Sequence, residues 1–307
     1  MCGPHGNDCT VVTRLKGIRP GEVVAAALSR GPGYEPQPLG QRFDTTSVRG
    51  YYLDLSAKTA SPTAARPERL PPAGLAQLAL GWWERSLAGD ENALLGFEAT
   101  CRLLIEGALP RGEGLLWPYE TEVAKYGLRP PWFSAMAQGQ IASVFVRAAS
   151  RDDEAAETAL RALRPLLDRA APLVVASPEG PALEEAPTQP PSRILNGWIY
   201  ALWGVWDVAI GLDSREARGL FDESLAGLRA ALDHYDTGWW SRYSLWRDGR
   251  DLAKPFYHRI HVVQLEALHL LTGAPDLAAL AARWRGYDTA PAAARAVLAK
   301  GREVLLR

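Results

Sequence analysis

Apolar residues recur at spacings of three and four along most of the chain after Gly74, which is the periodicity of helices that bury one face. The pattern predicts eight helices, at residues 73–88, 91–108, 133–149, 152–169, 192–210, 214–234, 258–272 and 276–299. Earlier in the chain, residues 42–55 mix β-branched and aromatic residues in partial alternation, which predicts one or two short strands. Residues 57–72 are rich in Ala, Pro, Ser and Thr and predict a loop.

The predicted helices are separated by a repeated break, in which an apolar run ends at a small residue and an acidic residue follows within three positions. The small residues are Gly89, Ser150, Gly211 and Gly273, at intervals of 61, 61 and 62 residues. Each glycine suits the position after a helix, where φ is positive, and each aspartate suits the N-cap or first turn of the next helix. A regular period of this kind indicates repeated supersecondary units.

Four helical hairpins in series predict a mainly α fold, an α/α toroid in the form of an incomplete barrel over residues 71–307. Residues 1–70 are predicted to form a small N-terminal segment of irregular structure and short strands. In the toroid, inner helices start at Trp132, Asn196 and Tyr257, and outer helices follow each break. The long connections then lie at one rim, where rigid scaffolds usually carry function. They are residues 117–132, 179–197 and 236–246.

One stretch, from Asp236 to Leu265, concentrates phenol, imidazole, guanidinium and indole groups. It predicts a turn and a short strand followed by a helix, on which Tyr257, His261 and Gln264 share one side. Such groups at an element boundary favour a site for a polar ligand with a ring face. The alternative is that Tyr257 and the tryptophans belong to the core and that the histidines cap a helix.

Composition narrows the class of protein. Hydrophobic residues make up 47% and charged residues 22% of the chain, and the net charge is −1, so no overall field attracts nucleic acid or an acidic membrane. No apolar run is long enough to span a bilayer, and we expect a soluble, cytoplasmic protein with reduced thiols. Whether the protein forms a homodimer stays open. Cys2 and Cys9 with His5 match no familiar zinc spacing, and no metal, redox or nucleotide cofactor is expected.

Four blocks resemble the C-terminal helical domain of D-glucuronyl C5-epimerases, in the order and at the approximate spacing of that family. They are PWFSAMAQGQIASVFVRA (131–148), PSRILNGWIYALWGVWDV (191–208), DTGWWSRYSL (236–245) and YHRIHVVQL (257–265), and GYYLDLSAKT (50–59) resembles a family segment that precedes the helices. Enzymes of this family convert glucuronate units of heparosan-type polysaccharides to iduronate. The resemblance therefore implies a toroidal helical domain with a cleft that receives a uronate chain.

Two departures from the family pattern stand out. The animal enzymes carry a membrane anchor and an extended β-rich N-terminal part, little of which fits before Leu70. The family also tends to show an acidic residue followed by Tyr-Pro, whereas this chain has Glu184-Glu185-Ala186-Pro187, with Ala186 in place of the tyrosine. One catalytic phenol of the family is thus absent at that position.

The resemblance places Tyr257 and Tyr243 at catalytic tyrosine positions and Glu185 at the acidic one. The C5 hydrogen of a uronate is only weakly acidic because the adjacent carboxylate is already negative. Inversion requires a base on one face, an acid on the other and donors that neutralise the carboxylate as it becomes enediolate-like. A phenol with an ordinary pKa near 10 is a fair acid and its phenolate is a strong base, so Tyr257 and Tyr243 are expected to transfer protons. Glu185 is expected to act as a partner base whose pKa is raised by burial, and which of the three groups attacks first stays open.

Substrate-binding residues are predicted around these three groups. Candidates to bind the carboxylate are Arg242, Arg259, His258 and His261. Candidates to bind hydroxyl groups or stack on sugar faces are Asn196, Gln138, Gln140, Trp132 and Trp239. For the arginines the alternative is a solvated surface position, and for the amides it is a bond to backbone groups.

The predicted partner is therefore a uronic-acid-containing saccharide, and the predicted activity is uronate C5-epimerisation. Two alternatives remain open. One is a polysaccharide lyase or glycoside hydrolase on the same kind of toroid, and the other is a carbohydrate-binding protein without catalytic activity, which is suggested by Ala186. Because the net charge is close to zero, the substrate is expected to be unsulfated or short.

Overall fold

The computed structural model of the chain describes residues 67–87, 92–247 and 251–305. The strands predicted at residues 42–55 and most of the predicted N-terminal segment lie outside these ranges. The described helices are α1 Pro72–Leu87, α2 Ala93–Glu106, α3 Ala135–Ala148, α4 Asp153–Leu167, α5 Leu195–Gly211, α6 Arg215–Tyr235, α7 Pro255–Thr272, α8 Pro275–Tyr287 and α9 Ala290–Leu305. Two short antiparallel hairpins join them, β1 Leu109–Arg111 with β2 Gly114–Leu116, and β3 Val174–Val175 with β4 Ala182–Leu183.

The predicted mainly α class is confirmed, and within the described residues the helices form no closed barrel. Helices α1, α3, α5 and α7 pack side by side as an inner layer, and each makes a hairpin with the outer helix that follows it. Composition explains the layering: α5 is buried along nearly its whole length, whereas α4 and α6 bury one face and expose charged residues on the other. Among these helices none is both long and apolar enough to cross a bilayer.

The predicted boundaries agree with the structure to within a few residues, with one exception. The helix predicted over residues 276–299 is two helices, because the chain turns at Asp288 and Thr289 and resumes with Pro291 in the first turn of α9. Proline is well accommodated there, since the first turn needs no N–H donor. The turn is fixed from outside by Arg259, whose Nε lies 2.6 Å from the carboxylate of Asp288.

The repeated breaks are built in different ways. Gly273 has the predicted left-handed conformation after α7, with φ of 71°, and Asp152 caps α4 by accepting a hydrogen bond from the Glu154 amide. The prediction was wrong at Gly211, which is the last residue of α5, because the positive φ falls instead on Asp213 at 50°. The cap of α6 is consequently Ser214.

Helices α3 and α5 approach each other so closely that backbone meets backbone. A Cβ atom added at Gly139 would lie 2.8 Å from the Cα of Ala201, and one added at Gly204 would collide with the carbonyl oxygen of Gly139. Farther along the same two helices, Arg147 donates to Asp207 at 3.0 Å with both side chains buried. The glycines thus set the spacing of the two central inner helices, and the ion pair fixes their register.

We predict that Gly204→Ala destabilises the protein by at least about 1–3 kcal/mol, because the added methyl group meets backbone that cannot move aside. The matched control is Gly219→Ala in α6, where an added Cβ meets nothing within 4 Å. Removal of a helical glycine should stabilise that variant by about 0.5–1 kcal/mol. Urea unfolding followed by circular dichroism compares the two, and equal free energies of unfolding would contradict the proposed close contact.

Candidate active site

The two predicted tyrosines meet where the loop after α6 reaches the start of α7. Tyr243 is held by its backbone, since its amide donates to the Asp251 carbonyl at 2.6 Å and its carbonyl accepts from the Leu195 amide at 3.0 Å. Tyr257 lies in the first turn of α7, and the two rings make an edge-to-face contact with centroids 4.9 Å apart. Both side chains are half-buried, so the structure brings the two phenols together at an accessible edge.

Glu185 follows β4 and faces the first turn of α5. Its carboxylate lies against Gly197, where an added Cβ would lie 2.9 Å from the Glu185 Cδ. Oε2 is buried, and no group in the described ranges bonds to it. Burial, with a smaller contribution from the charge of Glu184, raises the pKa of Glu185 from 4.5 to about 7, while Lys125 acts in the opposite direction.

The neighbouring Glu184 has a different role. Its carboxylate accepts hydrogen bonds from the Ser192 hydroxyl at 2.7 Å and from the amides of Ser192 and Arg193 at 2.9 and 3.0 Å. Arg193 has a positive φ of 45°, so Glu184 stabilises a strained turn immediately before α5. Of the two adjacent acids, Glu184 therefore holds the backbone and Glu185 is available for chemistry.

Electrostatics couple Glu185 to three phenols. Burial raises the pKa values of Tyr119, Tyr243 and Tyr257, and in each case the negative charge of Glu185 raises the pKa further. A hydrogen bond from Tyr243 partly offsets this effect on Tyr257, because it stabilises the phenolate of Tyr257. The four groups thus form one cluster, in which the charge of Glu185 affects the titration of each phenol.

A group of charges lies beside this cluster. The Lys125 Nζ lies 2.5 Å from Oδ2 of the buried Asp251, and Lys300 from α9 bonds to Oδ1 of the same carboxylate. The two ammonium nitrogens are 5.2 and 5.8 Å from the ring centroid of Tyr243. Burial alone would raise the pKa of Asp251, but the two lysines outweigh burial and hold it below its ordinary value.

Four predicted carboxylate-binding residues lie apart from this cluster. Arg259 is exposed and bonds to Asp288, and the Arg242 Nε donates to the carbonyl of His234 at the end of α6. His258 and His261 are completely buried, and both bond to Ser241. Each of these four side chains thus bonds to a group outside the cluster of Glu185 and the tyrosines.

The predicted amides differ in their surroundings. Gln138 donates to the carbonyls of Leu115 and Ala162, which ties α3 to the first hairpin and to α4. Asn196 and Gln140 are buried beneath the rim, and Oδ1 of Asn196 and both polar atoms of Gln140 have no partner among the described residues. The Gln138 amide is thus engaged in hydrogen bonds, whereas Asn196 directly precedes Gly197, the residue against which the Glu185 carboxylate lies.

The two predicted tryptophans contact other side chains. Trp132 stacks on Tyr119 with ring centroids 4.1 Å apart and also lines a cavity of about 410 Å³ that extends past Pro187. The guanidinium carbon of Arg295 lies 3.9 Å from the ring centroid of Trp239. Trp132 is thus linked to the Glu185 cluster through Tyr119, whereas Trp239 contacts α9.

Sequence reasoning gave no functional role to Tyr119, Lys125, Asp251 or Lys300. Tyr119 and Lys125 lie in the predicted rim loop at residues 117–132, so their position was accessible from the pattern. Asp251 and Lys300 are 49 residues apart, and no local signal connects them.

Comparison with known proteins identifies the family of the chain. The family model described as the C-terminus of D-glucuronyl C5-epimerase matches residues 111–286, more than half of the chain. The chain is also similar to a D-glucuronyl C5-epimerase from Caenorhabditis elegans, with 31% identity over 220 residues. That alignment covers 62% of this chain and 34% of the relative, so the chain matches about a third of the length of that protein. The matched range contains Glu185, Tyr243 and Tyr257 but not Lys300.

The raised pKa of Glu185 predicts a dependence of stability on pH. A carboxyl whose pKa is higher in the folded state binds protons more tightly there, so its contribution is present below pH 4.5 and is lost as pH rises through about 7. Between pH 5 and 8 the free energy of unfolding of the parent should fall relative to Glu185→Gln, by about 1–3 kcal/mol. The exposed Glu179→Gln is the matched control, and curves that stay parallel for parent and Glu185→Gln would refute the assignment.

Proposed function

Because this chain belongs to the family defined by the C-terminal part of D-glucuronyl C5-epimerases, we propose that it is a uronate C5-epimerase. Its substrate would be D-glucuronate within an unsulfated, heparosan-type saccharide, and its product L-iduronate. The observation that carries the proposal is the coupled cluster of the Glu185 carboxyl with the Tyr243–Tyr257 pair. Such a cluster supplies a base and an acid around one small volume, which is what inversion at C5 needs.

We assign Glu185 as the base that removes the C5 proton. With a pKa of about 7, roughly half of its molecules carry the charged form near neutral pH, whereas the raised phenol pKa values keep the tyrosines protonated. As the C5–H bond breaks, its electron pair becomes the C5–C6 π bond of an enediolate, and Glu185 takes the proton. No bond to the neighbouring sugar breaks in this step.

Tyr257 then returns a proton to C5 from the opposite face, which inverts the configuration. The resulting phenolate accepts a hydrogen bond from Tyr243, the interaction that stabilises the charged form of Tyr257. Solvent reprotonates Tyr257 and removes the proton from Glu185, and the cycle closes without net transfer of electrons. The half-buried position of both rings gives them access to substrate and to water.

Lys125 is the group that we assign to the substrate carboxylate. It is partly exposed at 29%, it lies beside the Tyr243 ring, and its charge lowers the pKa of Glu185. A fixed ammonium ion at this position would stabilise the charge that develops on the carboxylate as the enediolate forms. Arg242 and Arg259, predicted for this role, bond to the His234 carbonyl and to Asp288. Lys125 also has a partner, Asp251, but its ammonium nitrogen lies 5.2 Å from the centre of the Tyr243 ring.

We expect the parent to exchange the C5 hydrogen of glucuronate units for deuterium when it is incubated with heparosan in D2O. Tyr257→Phe keeps the ring and removes one hydroxyl, so exchange should fall about 10²–10⁴-fold while stability changes little. The control is Tyr287→Phe, which makes the same chemical change at a phenol that bonds to Asp236. NMR of the recovered polysaccharide measures deuterium at C5 and the formation of iduronate.

Three outcomes would contradict the proposal. Full exchange by Tyr257→Phe would remove Tyr257 from the mechanism. An unsaturated product that absorbs in the ultraviolet would indicate a lyase, which shares proton removal at C5 and then expels the group at C4. Saccharide binding by calorimetry without any exchange over long incubation would indicate a binding protein, for which the absence of a phenol at Ala186 is the structural motive.

The assignment of Lys125 has its own test. Lys125→Met keeps the aliphatic stem and removes the charge, so affinity for an unsulfated glucuronate oligosaccharide should fall about 10–100-fold, the effect of one charge-assisted hydrogen bond. Affinity for the carboxyl-reduced form of the same oligosaccharide should not change. Lys254→Met, at an exposed position before α7, is the control, and equal losses for both ligands would overturn the assignment.

A further inference from the structure

We infer that Ser241 and His258 are positioning residues that hold the phenols of Tyr243 and Tyr257 together. The inference rests on the proposed function only in taking these two phenols as reacting groups. Ser241 lies two residues before Tyr243, and His258 directly follows Tyr257. A bond between Ser241 and His258 therefore joins the two segments one step behind the reacting rings.

The bond lies in a short chain of three buried side chains. The Ser241 Oγ is 2.8 Å from the Nδ1 of His258 and 3.0 Å from the Nδ1 of His261. On its other side, the Nε2 of His258 is 2.9 Å from the carbonyl oxygen of Trp284 in α8. None of the three side chains is accessible to solvent, so they can affect a substrate only through their neighbours.

The hydrogen-bond partners of Ser241, His258 and His261 determine the tautomers of both histidines. A carbonyl only accepts, so His258 carries its proton on Nε2 and donates it to Trp284. Its Nδ1 must then accept, which agrees with the Ser241 amide 3.3 Å away. The single hydroxyl proton of Ser241 goes to that nitrogen, and the hydroxyl oxygen accepts from Nδ1–H of His261. This is the one arrangement in which both short contacts of Ser241 are hydrogen bonds.

Packing prevents the His258 ring from turning out of this arrangement. Trp240 stacks on it with ring centroids 3.9 Å apart at an angle of 14°, and the Trp240 indole N–H donates to the Ala253 carbonyl at 2.8 Å. The far nitrogen of His261 has no partner in the described part of the chain. The three hydrogen-bonded side chains, Ser241, His258 and His261, thus form a local brace that joins the Tyr243 loop to α7.

The brace acts as a second connection parallel to the Tyr243–Tyr257 contact. The ring centroids of the tyrosines are 4.9 Å apart, and the Ser241–His258 bond joins the two segments behind that contact. A displacement of the reacting groups by about 1 Å can cost about 10²-fold in rate. His258 and His261, predicted from sequence to bind the carboxylate, serve instead to place the phenols.

The first test reads the tautomers directly. Proton–nitrogen NMR of the parent, with ring nitrogens assigned through His258→Asn and His261→Asn, should show His258 protonated at Nε2 and His261 at Nδ1 near neutral pH. The Nδ1-protonated form expected for His261 is the less common neutral tautomer, so its observation would specifically support the hydrogen bond from His261 to Ser241. A His258 protonated at Nδ1 would exclude the bond from Ser241 and overturn the inference.

The second test compares two replacements of the same ring. His258→Asn keeps an acceptor near the position of Nδ1, which Ser241 can still reach, whereas His258→Gln places its amide near Nε2 and keeps the bond to Trp284 instead. Both lose the imidazole and its stacking on Trp240. A positioning role predicts that kcat for C5 exchange falls about 10²-fold in His258→Gln and in Ser241→Ala but stays within about threefold in His258→Asn, with KM nearly constant in all three.

A third measurement does not require turnover. In protein labelled with carbon-13 at Cζ of tyrosine, the signal of Tyr257, assigned through Tyr257→Phe, reports its titration. Loss of the hydrogen bond from Tyr243 should raise the pKa of Tyr257 in Ser241→Ala and His258→Gln but not in His258→Asn. Identical behaviour of the Asn and Gln variants in this titration would overturn the inference even if the parent proved inactive, whereas the expected split would support it independently of the epimerase proposal.

Discussion

The contact of α3 with α5 through bare backbone is the constraint on which the rest of the molecule depends. Gly139, Ala201 and Gly204 allow two inner helices to approach more closely than side chains would permit. This approach places the first turn of α5 directly beneath the segment that carries Glu185, where Gly197 again leaves room for a side chain. The absence of side chains at these glycines therefore allows the two helices to pack closely and also makes space for the Glu185 carboxylate.

The carboxylates near the site differ in their hydrogen bonding. The Glu184 carboxylate accepts hydrogen bonds from the strained turn before α5, whereas Oε2 of its neighbour Glu185 is buried without a donor among the described residues. Asp251 is likewise committed, since it binds Lys125, Lys300 and the hydroxyl of Ser244. Of these three acids, Glu185 is the one with a buried oxygen that has no hydrogen-bond donor in the described part of the chain.

Much of this could be predicted from sequence, because helical periodicity follows from local burial and the rim loops follow from the helices. Local pattern does not show how a chain turns at its ends, so Gly211 was predicted to adopt the positive φ that falls on Asp213, and the break at Asp288 was missed. At the site, the resemblance to the epimerase family singled out Tyr243, Tyr257 and Glu185. The direction of each polar side chain was not, since imidazoles at His258 and His261 look alike from sequence whether they meet solvent or close on Trp240 and Trp284.

Helix α9 lies beyond the range that matches the family, yet it sends Lys300 to the carboxylate beside Tyr243 and Arg295 to the face of Trp239. The range that the family model matches and the range that is connected by these contacts therefore have different limits. A fragment cut at residue 286 would retain both phenols and Glu185, but it would leave Asp251 with one cation fewer and so change the charge beside Tyr243. For this architecture, the edge of the matched range is a poor guide to where the surroundings of Tyr243 end.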